Sequence, residues 1–364
     1  MGYLLKHMEN RAKLLLDIGV IALGFMGTVF VISAEWYYVY LKSLNQFLYF
    51  TFGVVLFYAI SSISYGFWAR IRWLLYLFSL GFLSLPILFH GGRWIHIGSI
   101  SIQPYEFAKI AIVLFLASLL SERNNNKDSW RSIILTLLSL SFPIAILIMQ
   151  PHFGACVILV CTAGVMLFLA GVKLRHLLIT SLIALLVLGL LLPLKGYRIR
   201  RLHSAYGGNE LAEGYQKRQA LIAIGSGGPI GKGPIGSVMK FGYLPEAHSD
   251  FLFAIAAEES GLFFTFLFFF CPFILLLLSG FSISFSSPNP LASLIAGGLT
   301  SIIVIQALLN LSMVSVKFVP VIGIPLPFFA HGGSSLVSSF IATGIIRNIA
   351  LQKEAMTYQE KKSQ

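Results

Sequence analysis

The chain is punctuated by uncharged apolar runs of about 18 residues or more, long enough to cross about 30 Å of hydrocarbon as helices. That feature sets the solvent. Apolar residues fill 57% of the 364 positions and charged residues 11%, under half of the roughly 25% charged share of soluble domains. In hydrocarbon every backbone amide and carbonyl must be satisfied internally, which admits only helices or closed barrels. A barrel needs short alternating segments, whereas 177–194 is apolar all round. The expected fold is therefore all-α, a single polytopic membrane domain over 1–364.

Apolar runs between charged or Gly/Pro breaks place helices at about 14–34, 45–67, 72–90, 106–121, 132–149, 153–171, 177–194, 251–279, 291–311 and 326–346, about ten in all. The first run follows a basic flank (Lys6, Arg11, Lys13), exceeds a signal-peptide core and lacks a clear cleavage site, so it is expected to remain as a helix. With the amino terminus in the cytoplasm, fourteen Lys and Arg fall on the cytoplasmic side, against Lys42, Arg93 and Lys317 in the short outer loops. This bias predicts both termini inside. One long connection, about 195–249 between the seventh and eighth helices, then lies outside, and the polar tail from about 348 is expected to be disordered. Cys156, Cys161 and Cys271 sit in apolar runs without zinc-like spacing and read as packing residues. No internal repeat of the transporter kind is visible.

The long outer connection carries eight basic residues against Glu210, Glu213 and Glu246. Two readings stand: a solvated loop on anionic lipid headgroups, or a cationic bowl for a phosphorylated substrate. Within it, Gly214 to Gly233 holds Arg218, Gln219 and a Gly-rich turn ending at Lys232. A phosphate-binding P-loop is excluded, because the Gly five residues before Gly231 and a Ser or Thr after Lys232 are missing. The turn's amides with Lys232 are still suited to anionic oxygens.

Asp250 stands where this basic loop enters an apolar helix, a junction that can be wet yet partly desolvated, as suits a general base; it also reads as a helix amino-terminal acid. His248 lies two residues before it, but no nucleophile elbow supports a hydrolytic triad. Glu258 and Glu259 lie deeper and need partners. Glu106 and Lys109, three apart at a helix entrance, share a face and read either as a structural ion pair or as the wall of a functional cavity. Asn310 precedes a stretch, 320–336, whose three prolines and glycines break the helix at membrane depth, ending in Ser334 and Ser335.

Four stretches in order resemble the SEDS family of peptidoglycan glycan-strand polymerases, represented by FtsW and RodA. They are Arg93-Trp94-Ile95 with Gln103-Pro104 and Glu106/Lys109; Gln219 to Gly233; Leu244-Pro245-Glu246 to Asp250-Phe251 with Glu258-Glu259-Ser260-Gly261; and Gly323-Ile324-Pro325-Leu326-Pro327 with Gly332-Gly333-Ser334-Ser335. The resemblance covers nearly the whole chain. It implies polymerisation of lipid II at the outer face of the bacterial cytoplasmic (inner) membrane, with Asp250 matching the family's essential aspartate. It also implies that Trp94, Glu106 and Lys109 line a central cavity. Arg93, Arg218, Gln219, Lys232, Lys240, His248, Ser334 and Ser335 complete the expected substrate site, and a cavity beside Asp250 open to the outer leaflet is the geometric expectation.

No protein-held metal is expected, although Mg or Mn at the diphosphate is compatible with the chemistry. The implied partner is a class B penicillin-binding protein, alongside other division or elongation proteins, with no nucleic acid. A lipid II flippase and a non-catalytic scaffold are the competing readings. Lys240 with 243–248 and the 197–201 run look more like FtsW than RodA. The chain departs from the family at His152 (usually Asp), Tyr105 (usually Ser) and Ala330-His331 (usually Ser-Tyr), and His152 raises the expectation of a pH-sensitive cavity.

Overall fold

The computed structural model describes residues 11–35, 40–89, 92–98, 100–122, 129–180, 212–245, 249–287, 289–331 and 333–363. Its helices are α1 (Ala12–Glu35), α2 (Tyr40–Ser61), the short α3 (Tyr65–Arg70), α4 (Arg72–Leu88), α5 (Pro104–Ser121), α6 (Ser129–Met149), α7 (Phe153–Leu169), α8 (Ala212–Gly227), α9 (Leu252–Ser286), α10 (Pro290–Ser315) and α11 (Gly333–Ser363). Two three-residue strands, β1 (Ile95–Ile97) and β2 (Ile100–Ile102), form an antiparallel hairpin with Ile95 opposite Ile102, where the sequence suggested only a loop.

Among the described residues six helices (α1, α5, α6, α9, α10 and α11) are long and apolar enough to cross a membrane, and 45–61, 72–88 and 153–169 form shorter apolar helices. The expected seventh span, 177–194, lies mostly outside the described residues. Large apolar side chains such as Phe78, Leu74 and Leu262 are exposed on helix exteriors, as they are in a protein solvated by lipid.

Local chemistry fixes the helix starts. Pro104 opens α5 with Glu106 in its first turn, and Asn289 caps α10 by accepting from Leu291 N at 3.0 Å, with Pro290 next. α9 is not one clean span. It breaks at Gly261 (φ 68) and passes through a π-helical turn, Phe266–Phe270.

Two expectations about the last helix are corrected. It begins at Gly333 rather than near 326, because Pro320, Pro325 and Pro327 remove amide donors and disfavour helical geometry before them. At its other end it runs to Ser363 instead of ending in a disordered tail, since 351–356 (Leu-Gln-Lys-Glu-Ala-Met) are strong helix formers. Lys13 Nζ pairs with Glu354 at 2.6 Å, so the start of α1 and the end of α11 share one end of the bundle.

α11 lies along α2, α9 contacts both α1 and α10, and α10 also meets α5 and α7. This arrangement puts α10 in the centre. Most of its length is buried, and its carboxyl end leads into the segment that matters below.

Candidate functional site

At the end of the bundle away from the Lys13–Glu354 pair, the segment 316–331 runs without helix between α10 and α11, exposed at 316–318 and buried over 324–330. Its carbonyls need donors that no helix supplies. Side chains from three other elements provide them. Gln306 Nε2 donates to the Pro325 carbonyl at 2.9 Å and Asn310 Nδ2 to the Ile324 carbonyl at 2.7 Å. Arg93 Nη1 reaches the Gly323 carbonyl at 3.5 Å, and Lys217 Nζ the Val319 carbonyl at 2.7 Å.

Asp250 enters this frame from the other side. It is half-buried in a turn just before α9, and its carbonyl accepts from Asn310 Nδ2 at 2.9 Å. A Cβ built on Gly323 would fall 2.9 Å from Arg93 Nη1 and 3.5 Å from Asp250 Oδ2. The guanidinium and the carboxylate therefore face the same glycine, whose φ of 67° and missing side chain leave room for both. Arg93 is held from behind as well, its Nη2 donating to the Pro151 carbonyl at 2.9 Å.

Glu106 and Lys109 pair at 2.6 Å, each 0% exposed. Gln306 bridges them, accepting from Lys109 at 2.7 Å and donating to Glu106 at 3.2 Å, while Ser338 donates to Glu106 at 3.1 Å. The pair is thus a sealed, hydrogen-bonded network beneath the broken segment, and it does not open onto a cavity wall as the resemblance implied. Ser334 is part of the same mount: its hydroxyl accepts from Gln103 N at 3.1 Å and donates to the Ser101 carbonyl at 3.3 Å. Ser335 is buried beside it, and Trp94 is half-buried at the start of the β hairpin.

Two of the eight basic residues of the expected cationic bowl are neutralised, while Lys195, Arg198, Arg200 and Arg201 lie outside the described residues. Lys232 pairs with Glu258 at 2.5 Å, and Lys240, itself buried, with Glu259 at 2.9 Å. Glu258 also accepts from Ser226 and Ser237, and Glu259 from Ser33 at 2.7 Å. The Gly-rich turn is spoken for too: Lys232 N donates to the Glu258 carbonyl and Gly233 N to the Glu259 carbonyl, both at 3.0 Å. The turn is a wedge docked into the break of α9, so its amides are not available to an anion. Lys217 is likewise engaged, also donating to the Met313 carbonyl, and desolvation pulls its ammonium down to about 8. Arg218 is exposed and Gln219 half-exposed on α8, while His248 lies outside the described residues.

A cavity of about 580 Å³ lies between α1, the wedge and α9, lined by Phe30, Ser33, Pro234, Glu259, Phe264 and Phe268 among others. Asp250 does not line it, so this is not the cavity expected at the candidate base. Among the described residues no three of His, Cys, Asp and Glu come together as a group that could hold a metal ion.

Comparison with known proteins decides the family. The profile of the FtsW/RodA/SpoVE family, described as "Cell cycle protein", matches residues 13–355. The chain belongs to this family. Stage V sporulation protein E of Bacillus subtilis (strain 168) is 37% identical over 317 residues, covering 84% of this chain and 86% of that protein. The probable peptidoglycan glycosyltransferase FtsW of Hahella chejuensis is 34% identical over 371 residues, covering 94% of this chain and 91% of that protein. Among solved structures, a chain from "Structural coordination of polymerization and crosslinking by a peptidoglycan synthase complex" superimposes with a TM-score of 0.79 at 26% identity, covering 93% of this chain and 97% of that one. RodA of Thermus thermophilus shares the fold, with a TM-score of 0.68 at 23% identity over 93% of this chain and 96% of that one.

Set within the SEDS family, the departures turn out to be contacts. Tyr105 and His152 meet edge to face, ring centroids 5.1 Å apart, so two of the unusual residues fill one space. His331 reaches the carboxylate of Glu35 at the end of α1. Sequence reasoning missed Gln306, took in Lys217 only as one of the basic loop residues and Gly323 only as part of a family motif, and passed over Asn310 without assigning it a role. The signal for two of them was present: Gln306 and Asn310 are amides four apart on an otherwise apolar helix, hence on one face.

Proposed function

We propose that the chain is a peptidoglycan glycosyltransferase that polymerises lipid II into glycan strands at the outer face of the cytoplasmic membrane. The observation that carries the reading is Asp250 facing Gly323 beside Arg93, at the end of the bundle opposite the termini. Curated relatives of the family are named probable peptidoglycan glycosyltransferases, which supports the same activity here.

The chemistry follows from that carboxylate. An acceptor sugar hydroxyl attacks the anomeric carbon of the donor, its proton passing to an Asp250 oxygen as the new C–O bond forms. The bond to the undecaprenyl diphosphate breaks on the opposite face, inverting the centre, and the diphosphate departs as an anion that needs positive charge more than a proton. With Lys232 and Lys240 paired to glutamates and Lys217 and Arg93 bonded to carbonyls, the exposed Arg218 is a described residue suited to supply it.

Both termini are assigned to the cytoplasm, which the basic-residue bias and the Lys13–Glu354 pair support. The partner is a class B penicillin-binding protein that crosslinks the strand, a reading supported by the likeness to a chain of a peptidoglycan synthase complex. The 37% and 34% identities to the sporulation and FtsW proteins support a septal-type rather than a RodA-type role.

Polymerisation of lipid II by the purified chain with its partner, compared with Asp250→Ala, tests the reading. The variant is expected to fold, bind its partner and make no glycan; a wild-type yield from it removes the assignment of Asp250. Movement of labelled lipid II across liposomes without chain growth would instead indicate a flippase, and neither activity a scaffold.

A further inference from the structure

Asp250 lies in a turn, and α9 begins two residues later with no side-chain cap, so no helix of its own holds its main chain. The anchor comes from α10. Asn310, 0% exposed, divides its amide nitrogen between the Asp250 carbonyl (2.9 Å) and the Ile324 carbonyl (2.7 Å). One side chain thus fastens two irregular segments, from different parts of the chain, to the central helix. The flanking carbonyls are held separately, Gly323 by Arg93 and Pro325 by Gln306 one turn earlier on α10. Satisfying Ile324 needs one donor; the second goes to the residue that carries the carboxylate. An amide at this depth in a spanning helix is unfavourable unless its polar atoms are used; both hydrogens are, while Oδ1 is buried without a hydrogen-bond partner among the described residues.

We propose that Asn310 is a positioning residue for glycan transfer: by fixing the Asp250 main chain against the 323–325 segment, it sets where the carboxylate points. The inference rests on Asp250 being the base. Asn310 itself is sealed from the site, so it acts through Asp250 and not on the sugar.

The test is steady-state polymerisation of lipid II by the reconstituted full-length chain with its cognate transpeptidase. Asn310→Leu keeps the shape and loses both donors without adding a charge, Asn310→Ser keeps one donor, and Thr300→Val removes a buried hydroxyl from the same helix far from Asp250, where it bonds Ala296. With Asn310→Leu, kcat should fall by about 10- to 100-fold while KM for lipid II changes less than about twofold, since misplacement of the base raises the barrier without weakening ground-state binding. Asn310→Ser should fall between, and Thr300→Val should match the wild type.

A kcat within about threefold of wild type at equal folded amount, or a raised KM with unchanged kcat, overturns the proposal. If Asn310→Leu fails to fold, the same criteria apply to Asn310→Ser. Asp250→Ala measured alongside separates the two ideas: an active Asp250→Ala removes the base and this inference together, whereas an inactive one beside an unimpaired Asn310→Leu removes this inference alone.

Discussion

His152 sits in the turn between α6 and α7, 1% exposed, and neither ring nitrogen has a hydrogen-bond partner among the described residues. Burial, and secondarily the charge of Arg93, push its pKa from 6.5 down to about 3. The expectation of a cavity that titrates near neutrality is thereby corrected: folded His152 is neutral throughout that range. The consequence is for stability. Between pH 3 and 6.5 the unfolded chain binds the proton that the folded chain refuses, so this site's full contribution is present above 6.5 and is lost as pH falls. At pH 5 the loss is about 2 kcal/mol. His152→Phe, which keeps an edge-to-face partner for Tyr105, should therefore show a smaller drop in melting temperature between pH 7.5 and pH 5 than the wild type. Equal acid sensitivity of the two proteins would contradict the assignment.

At the scale of elements, the wedge formed by the Gly-rich turn explains why α9 is broken. Gly231 and Gly261 meet backbone to backbone: a Cβ on Gly261 would fall 2.2 Å from Gly231 N, and one on Gly231 2.2 Å from the Glu259 carbonyl. The break frees amides of α9 that the wedge then satisfies, with Leu262 N donating to the Gly228 carbonyl and Phe263 N to the Pro229 carbonyl. The two lysines of the loop fix the docked pose by pairing with Glu258 and Glu259. Removing one partner of a buried pair leaves an uncompensated charge, which costs about 3–5 kcal/mol. Lys240→Met should lower thermal stability by that order and make the loop more susceptible to protease, and adding Glu259→Gln should recover most of the loss. If Lys240→Met is as stable as the wild type, the pair does not hold the wedge. The basic loop, the glycines and the paired glutamates were each legible in the sequence, but which charge meets which was not. Lys232 and Glu258 are 26 positions apart, and composition cannot tell a lysine awaiting phosphate from one already matched.

For the whole molecule, the polar groups divide by end. The Lys13–Glu354 pair marks one end, while Arg93, Asp250, Glu35 and the start of α11 gather at the other. Single cysteines placed at Lys317 and Glu354 test this directly. The three native cysteines lie in apolar helices, away from a membrane-impermeant maleimide. Cys at 317 should label in intact spheroplasts and Cys at 354 only after permeabilisation; the opposite pattern would invert the orientation and move Asp250 to the cytosolic face.

Apolar run length fixed the solvent, the helical class and the approximate spans, because membrane thickness and backbone satisfaction act on local sequence alone. The motifs carried the family for the same reason, being short and contiguous. Tertiary structure decided how the charges and amides were matched. It sealed Glu106 with Lys109 under Gln306, took Lys232 and Lys240 out of the cationic bowl, and joined Asp250, Asn310 and Ile324 across 60 and 14 residues of chain. In a medium with little water, each buried polar group must find a partner wherever the fold brings one, and that partner's position in the chain is not encoded next to it.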